Sequence, residues 1–242
     1  MSITIDNFSV GSIQSSIFIK DYEFSASRFM SKLYPKWADI FPGDPEVLPV
    51  PPETGLPPEI PRVVLQKKDG SARLEVAPSR LNLHQRITDN ANGGLIAQCY
   101  QDSISLFSDF LNEMNCFIWR LAAVKASYAA ADNPGLFLAK HFCRDQWNEK
   151  PLNDPTNFEM HSHKRYVFRG RFKVNSWVRS KTGRKVEKSK KSPIILVEQD
   201  INTLTEDMGS VQFGHDDIGE FFSTIDDEFL NILSLYYPLK GS

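Results

Sequence analysis

Glu159-x-His161-x-His163 is the one local cluster whose residue types and spacing match a metal site. On a strand these three side chains share a face, and two histidines at i and i+2 can hold a divalent ion if another element supplies a third ligand. No such ligand is near in sequence, and His84, His141 and His215 could join only through the fold. The adjacent Lys164 and Arg165 also disfavour a cation, so exposed or hydrogen-bonding histidines are expected, with no metal and no cofactor. His141-Phe142-Cys143 brings a thiol near an imidazole, but positions this close along a chain rarely reach nucleophile–base geometry. Asp216-Asp217 and Asp226-Asp227-Glu228 suit helix capping and a solvated helical face better than acid–base chemistry. The chain has no phosphate-binding glycine loop and no Gly-x-Ser-x-Gly elbow. No catalytic residue is assigned, and an enzyme whose residues converge only in the fold stays open.

Charge is more informative. Twelve of the 28 Lys and Arg residues fall in positions 161–191, beside a single acid, Glu187, so a net charge of −2 hides a dipolar molecule. From His161 to Lys173, alternate residues are His161, His163, Arg165, Val167, Arg169, Arg171 and Lys173, while Tyr166, Phe168 and Phe172 lie between them. Period two predicts a strand with an aromatic face inward and a cationic face outward. Lysines on a strand commonly serve to block edge-to-edge pairing, and Lys181, Lys185, Lys188, Lys190 and Lys191 suit an exposed hairpin tip. An ordinary surface, however, mixes both signs. The field therefore points to an acidic partner: nucleic acid, an acidic protein surface, or the chain's own positions 198–228, which hold ten carboxylates and no Lys or Arg. The candidate partner-binding or nucleic-acid-binding residues are Arg165, Arg169, Arg171, Lys173, Arg179, Lys181, Arg184, Lys185 and Lys188. Trp177 among them could stack on a base, and a core position suits it equally.

The elements that must position these residues follow from pattern. A strand is expected over 12–24 and a short helix over 33–40, capped by Ser25 or Ser27. Eight of fifteen prolines lie between Pro42 and Pro61, which predicts an extended loop without regular structure. Strands are expected at 62–66, 72–77 and 80–86, joined by Lys68-Asp69-Gly70 and Pro78-Ser79, then a helix over 95–114. The second half loosely repeats this order. It reads as a strand over 117–128, a helix over 136–142, a polar loop over 145–157, the basic strand over 158–180, a turn at Thr182-Gly183, a returning strand over 193–202, and a last helix ended by Pro238. The fold class expected is α+β: antiparallel sheet with long helices on one face, in pseudo-repeated halves of residues 1–115 and 116–242.

Length and composition fit a soluble globular protein, with 41% hydrophobic and 24% charged residues. No apolar run approaches the roughly 20 residues that span a bilayer, and residues 1–20 lack a secretion signal, so no membrane role and a cytoplasmic location are expected. Cys99, Cys116 and Cys143, odd in number and unclustered, read as reduced thiols.

Two resemblances attach to particular residues. Pro61-Arg62-Val63-Val64-Leu65 with Asp69-Gly70, Ser79-Arg80-Leu81-Asn82-Leu83, Glu198-Gln199-Asp200-Ile201 and the helix from His215 to Leu233 resemble a sporadically distributed, functionally uncharacterised prokaryotic family of similar length. Ile17-Phe18-Ile19-Lys20-Asp21-Tyr22-Glu23-Phe24 resembles the opening strand of SecB-type export chaperones, although Ser25-Ala26 stands where that family tends to place an acid and a proline. The second resemblance implies antiparallel sheets, oligomers and long grooves for unfolded clients. Together they suggest a noncatalytic protein-binding or chaperone-like component of a prokaryotic complex, for instance in a toxin–antitoxin or phage-defence setting, whose partner is an acidic protein surface or an unfolded client. The competing expectation is a nucleic-acid-binding protein that uses the basic hairpin.

Overall fold

The computed structural model describes residues 3–20, 24–48, 55–87, 93–148, 153–187, 189–207 and 209–239. Nine strands form one antiparallel sheet: β1 (Ser9–Lys20), β2 (Glu46–Val47), β3 (Val63–Gln66), β4 (Ala72–Ala77), β5 (Arg80–Arg86), β6 (Phe117–Ala130), β7 (Glu159–Phe168), β8 (Phe172–Glu187) and β9 (Lys190–Thr203). The helices are α1 (Ala26–Lys32), α2 (Tyr34–Trp37), α3 (Gly93–Met114), α4 (Pro134–Phe142), α5 (Asp145–Asn148) and α6 (His215–Tyr236). The class is α+β, as the alternation of strand and helix periods predicts. Among the described residues, no helix is long and apolar enough to cross a membrane.

Strand order is β2-β3-β4-β5-β1-β6-β9-β8-β7. Setting aside β2, the order is palindromic about the β1–β6 seam: β1, β3, β4 and β5 are laid out on one side as β6, β7, β8 and β9 are on the other. Short helices follow β1 and β6, and long helices follow β5 and β9. The two long helices contact each other above the seam, where Phe107 of α3 and Phe222 of α6 pack with ring centroids 5.5 Å apart.

Period two explains which face they cover. Leu65, Leu74 and Leu83 lie in register on one face, as do Val76, Leu81, Ile17 and Leu121, and all are buried. Against them α3 places Leu106, Phe107 and Phe110, and α6 places Ile218, Phe221, Phe222, Ile225 and Phe229, at the three-and-four spacing that puts one helical stripe inward. Helix α1 begins where the Ser25 hydroxyl accepts from the Arg28 N–H. Its Phe29 and the following Trp37 fill the flank of this core, with the Trp37 indole N–H donating to Asp109 of α3 at 3.1 Å. A second cluster of Leu138, Val178, Ile195, Val197, Leu233 and Tyr237 secures α4 and the end of α6.

Three expectations need correction. The prolines of residues 42–61 do not exclude all regular structure, because Glu46 and Val47 pair with Val64 and Val63 as a short edge strand. The helix expected over 33–40 starts earlier, as α1 and α2. The basic strand expected over 158–180 is a hairpin: Phe168 pairs with Phe172, and the Arg171 N–H donates to the Phe168 carbonyl at 3.2 Å across Arg169 (φ 50°) and Gly170 (φ 70°). Two successive positive φ angles are the signature of a type I′ turn. Thr182-Gly183 is not a turn but lies inside β8; β8 and β9 are joined after the Glu187–Lys190 pair. Of the segment resembling the chaperone strand, residues 21–23 lie outside the described residues.

Candidate binding surface

The face turned away from the long helices carries the candidate site. Strand registers align one row across the whole sheet: Gln66, Arg73, His84, Gln14, Val124, Asp200, Trp177 and His163, one residue from each of β3, β4, β5, β1, β6, β9, β8 and β7. The adjacent rungs put small side chains at the centre, Ser12 and Ser16 of β1 beside Ala126 and Ala122 of β6. The middle of the face is therefore low, and larger groups stand on either flank.

Two aromatic groups border that low strip. Trp177, 44% exposed, stacks on His163 of the neighbouring strand with centroids 4.1 Å apart and planes 14° from parallel. His163 is held by its ring nitrogen, which donates to the Asn175 side-chain oxygen at 3.2 Å. At the end of the strip, two residues beyond Ser16 on β1, Phe18 lies under the Arg120 guanidinium of β6, 4.8 Å from ring centroid to carbon. Arg120 in turn donates to the Asn202 side-chain oxygen at 2.6 Å and to the Thr203 carbonyl at 3.1 Å, and burial lowers its pKa. Asn202 passes the contact on, donating to Asp200 at 2.8 Å. Burial raises the Asp200 pKa, and the Asn202 bond and the nearby Arg120 only partly oppose that effect. Asp200, Glu198, Arg179, His161 and Trp177 border a hollow of about 240 Å³ beside the indole.

The predicted cationic residues separate into two groups. Arg165 pairs with Glu206 at 2.7 Å, Arg171 with Asp217 and with Glu220 (2.8 Å), Lys173 with Asp207 at 3.6 Å, and Arg179 with Glu198 at 3.2 Å and Glu159 at 3.5 Å. All but Glu159 belong to the acidic stretch 198–228, so of the three partners considered for the basic field, the chain's own acids take this half of it. Arg169 sits at the β7–β8 turn over Phe168. Lys181 lies opposite Glu159 in register. Lys185 reaches back to Tyr128 of β6, with its ammonium 2.5 Å from the hydroxyl and 4.2 Å from the ring centroid. Arg184 is exposed near the end of β8. Lys188 lies outside the described residues.

The remaining chemistry-bearing groups have structural work. Glu159 and His161 form a 2.7 Å pair that lowers the Glu159 pKa, and among the described residues no group of three or more His, Cys, Asp or Glu is placed to hold a metal. His141 donates to the Tyr236 carbonyl at 2.6 Å and stacks on Tyr237, so its ring ties α4 to the end of α6. Burial pushes the Cys99 and Cys116 thiols up to about 11, the opposite of an activated nucleophile. Asp217 caps α6 by accepting the Gly214 N–H at 2.7 Å, and Glu228 accepts the Tyr166 hydroxyl at 2.6 Å.

Sequence reading found Trp177 and the histidines but missed Phe18, Arg120, Asp200 and Asn202 as parts of one surface. The signal was the polar alternate set Ser12, Gln14 and Ser16 in β1, which marks an outward face. What no spacing shows is that β1 and β9 flank the same strand. No protein-family model matches this chain, and no curated protein matches it.

Proposed function

We propose that this protein is a noncatalytic protein-binding component that holds an extended or unfolded polypeptide against the open sheet face, in the manner of a chaperone. The observation that carries this reading is the Trp177–His163 stack on the flank of a low, small-residue strip that runs along the two central strands, β1 and β6. An extended chain presents alternating side chains and a polar backbone. The surface offers both counterparts, an indole and a phenyl ring for apolar groups, and Asn, Gln, Asp and Arg side chains for peptide groups. The resemblance of Ile17 to Phe24, which begins at the end of β1, to the opening strand of SecB-type chaperones is in keeping with this reading. The setting it suits is an accessory one in the cytoplasm of a prokaryote, such as a toxin–antitoxin or phage-defence complex.

The test uses a reduced, carboxymethylated and fluorescently labelled polypeptide as the client. Binding is expected with a negative heat-capacity change, and Trp177→Ala combined with Phe18→Ala should weaken it at least about tenfold, the scale of losing two aromatic anchors. An unfolded polypeptide that does not bind, or binds the double variant equally well, would overturn the reading.

A further inference from the structure

We propose that the outer edge of β7 pairs with the same edge of a second copy of this chain, joining two sheets into one across a two-fold axis at Ser162. β7 is the last strand of the sheet, and all ten of its residues pair with β8 without a shift of register. The Thr182 N–H donates to the Phe158 carbonyl at 3.2 Å, one rung before the Glu159–Lys181 pair. Backbone groups alternate in direction along a strand, so the even-numbered residues of β7 face β8, while Glu159, His161, His163, Arg165 and Val167 direct their N–H and C=O groups outward. Among the described residues no hydrogen bond reaches those outward groups, and all five residues are exposed. Natural sheets blunt such an edge with proline, a bulge or a very short strand. The opposite edge does so with the two-residue β2, whereas β7 has none of the three.

The edge is self-complementary in one register. Outward-facing residues must meet outward-facing residues, so two antiparallel copies can slide only in steps of two. With Ser162 opposite itself, Glu159 faces Arg165 of the second copy and His161 faces His163 of the second copy, and each pair occurs twice. A shift of two residues either way puts His161 or His163 opposite itself and leaves Arg165 with no acid across from it. The outward pairs of the favoured register would exchange about eight main-chain hydrogen bonds, and each Glu–Arg pair would hold its α-carbons about 5.5 Å apart, within reach of a cross-strand ion pair. The Glu159 and Arg165 side chains are 47% and 54% exposed, so both can turn from His161 and Glu206 of their own chain toward the second copy. An acidic strand from another protein fits less well, because it would meet Glu159 as a like charge.

The experiment is sedimentation equilibrium of the full chain at concentrations up to about 100 µM, where a reversible dimer is expected. E159R sets arginine against arginine at both ends of the paired edge, and R165E sets glutamate against glutamate. Each should raise the dimer dissociation constant at least about tenfold, because like charges directly opposite oppose pairing at two places. Mixing the two single variants in equal amounts should produce a heterodimer, and E159R/R165E should regain the parent's self-association, since both recreate the opposite-charge pairs. Circular dichroism of every variant should match the parent, because both positions are exposed. A parent that stays monomeric throughout, single variants that associate as the parent does, or a mixture and a double variant no more associated than the single variants would each overturn the proposal.

Discussion

Lys125 of β6 points into the protein beneath α6, 1% exposed, and its ammonium lies 2.7 Å from the carboxylate of Asp226. The same ammonium stands 5.5 Å from the centroid of the Phe229 ring. The pair fastens the second long helix to the strand at the sheet's seam. Removing one partner from a buried pair strands the other charge, a loss of about 3–5 kcal/mol, whereas replacing the lysine by an apolar residue of similar length removes the charge that needs compensation. Asp226→Ala should therefore cost about 3 kcal/mol or more in urea unfolding. Lys125→Met should cost less, since Asp226 retains access to water.

Asp200 yields a prediction in pH. Its folded-state pKa lies above the ordinary carboxylate value, mainly through burial, so the folded state binds more protons than the unfolded state in the interval between the two values. Stability from this group is therefore lost as pH rises through that interval and stays lost above it. Asp200→Asn, which cannot ionise, should stabilise the fold at neutral pH, and the gain should vanish when unfolding is measured below the unfolded-state carboxylate pKa. A gain of equal size at both pH values would contradict this account.

The β7–β8 turn is strained at a position that can be relieved. Arg169 has φ 50°, where Asn is several-fold better tolerated than a long side chain, and Gly170 has φ 70° with open space around it. Arg169→Asn should stabilise the hairpin by about 0.5 kcal/mol, and Gly170→Ala should destabilise it by about 1 kcal/mol, on the scale of glycine's conformational advantage. Thermal unfolding of the two variants would show whether opposite shifts occur.

Helix α4 is held against the loop at 155–156 by the absence of a side chain. A β-carbon on Gly135 would collide with the Pro155 carbonyl oxygen and lie 2.8 Å from Thr156 backbone atoms. These are backbone obstacles that cannot swing aside. Gly135→Ala should cost about 1–3 kcal/mol despite alanine's better helix propensity, because the overpacking exceeds the propensity gain. Chemical denaturation of this variant against Gly219→Ala, where nothing stands within 4 Å, would separate the two effects.

What could be read from sequence depended on how local the determining physics was. The β3–β5 meander was legible almost residue by residue, because Asp69-Gly70 and Pro78-Ser79 are turn formers for reasons contained in their own side chains. The β7–β8 reversal was not, since Arg169 gives no turn signal, while Thr182-Gly183 gives one where the chain runs straight. Gly183 answers a tertiary demand instead: a β-carbon there would come within 3.2 Å of the Ile194 side chain on the neighbouring strand. The faces of the basic segment were nevertheless assigned correctly, because three residues between Phe168 and Phe172 return the chain in phase. The acidic stretch 198–228 was visible as composition, but its pairing, such as Arg171 with Glu220, joins residues 49 positions apart and required the sheet order. Lys125 was missed because a lone lysine among alanines does not announce which way it points.

The palindromic strand order has a further consequence. In a symmetric pair of identical subunits, any change to one flank is imposed on the other. Here both flanks lie on one chain and they differ: one ends in the two-residue strand β2, the other in the ten-residue β7. Unlike wings about a shared seam leave the sheet without a two-fold axis, so a molecule spanning it would be met in one orientation rather than two.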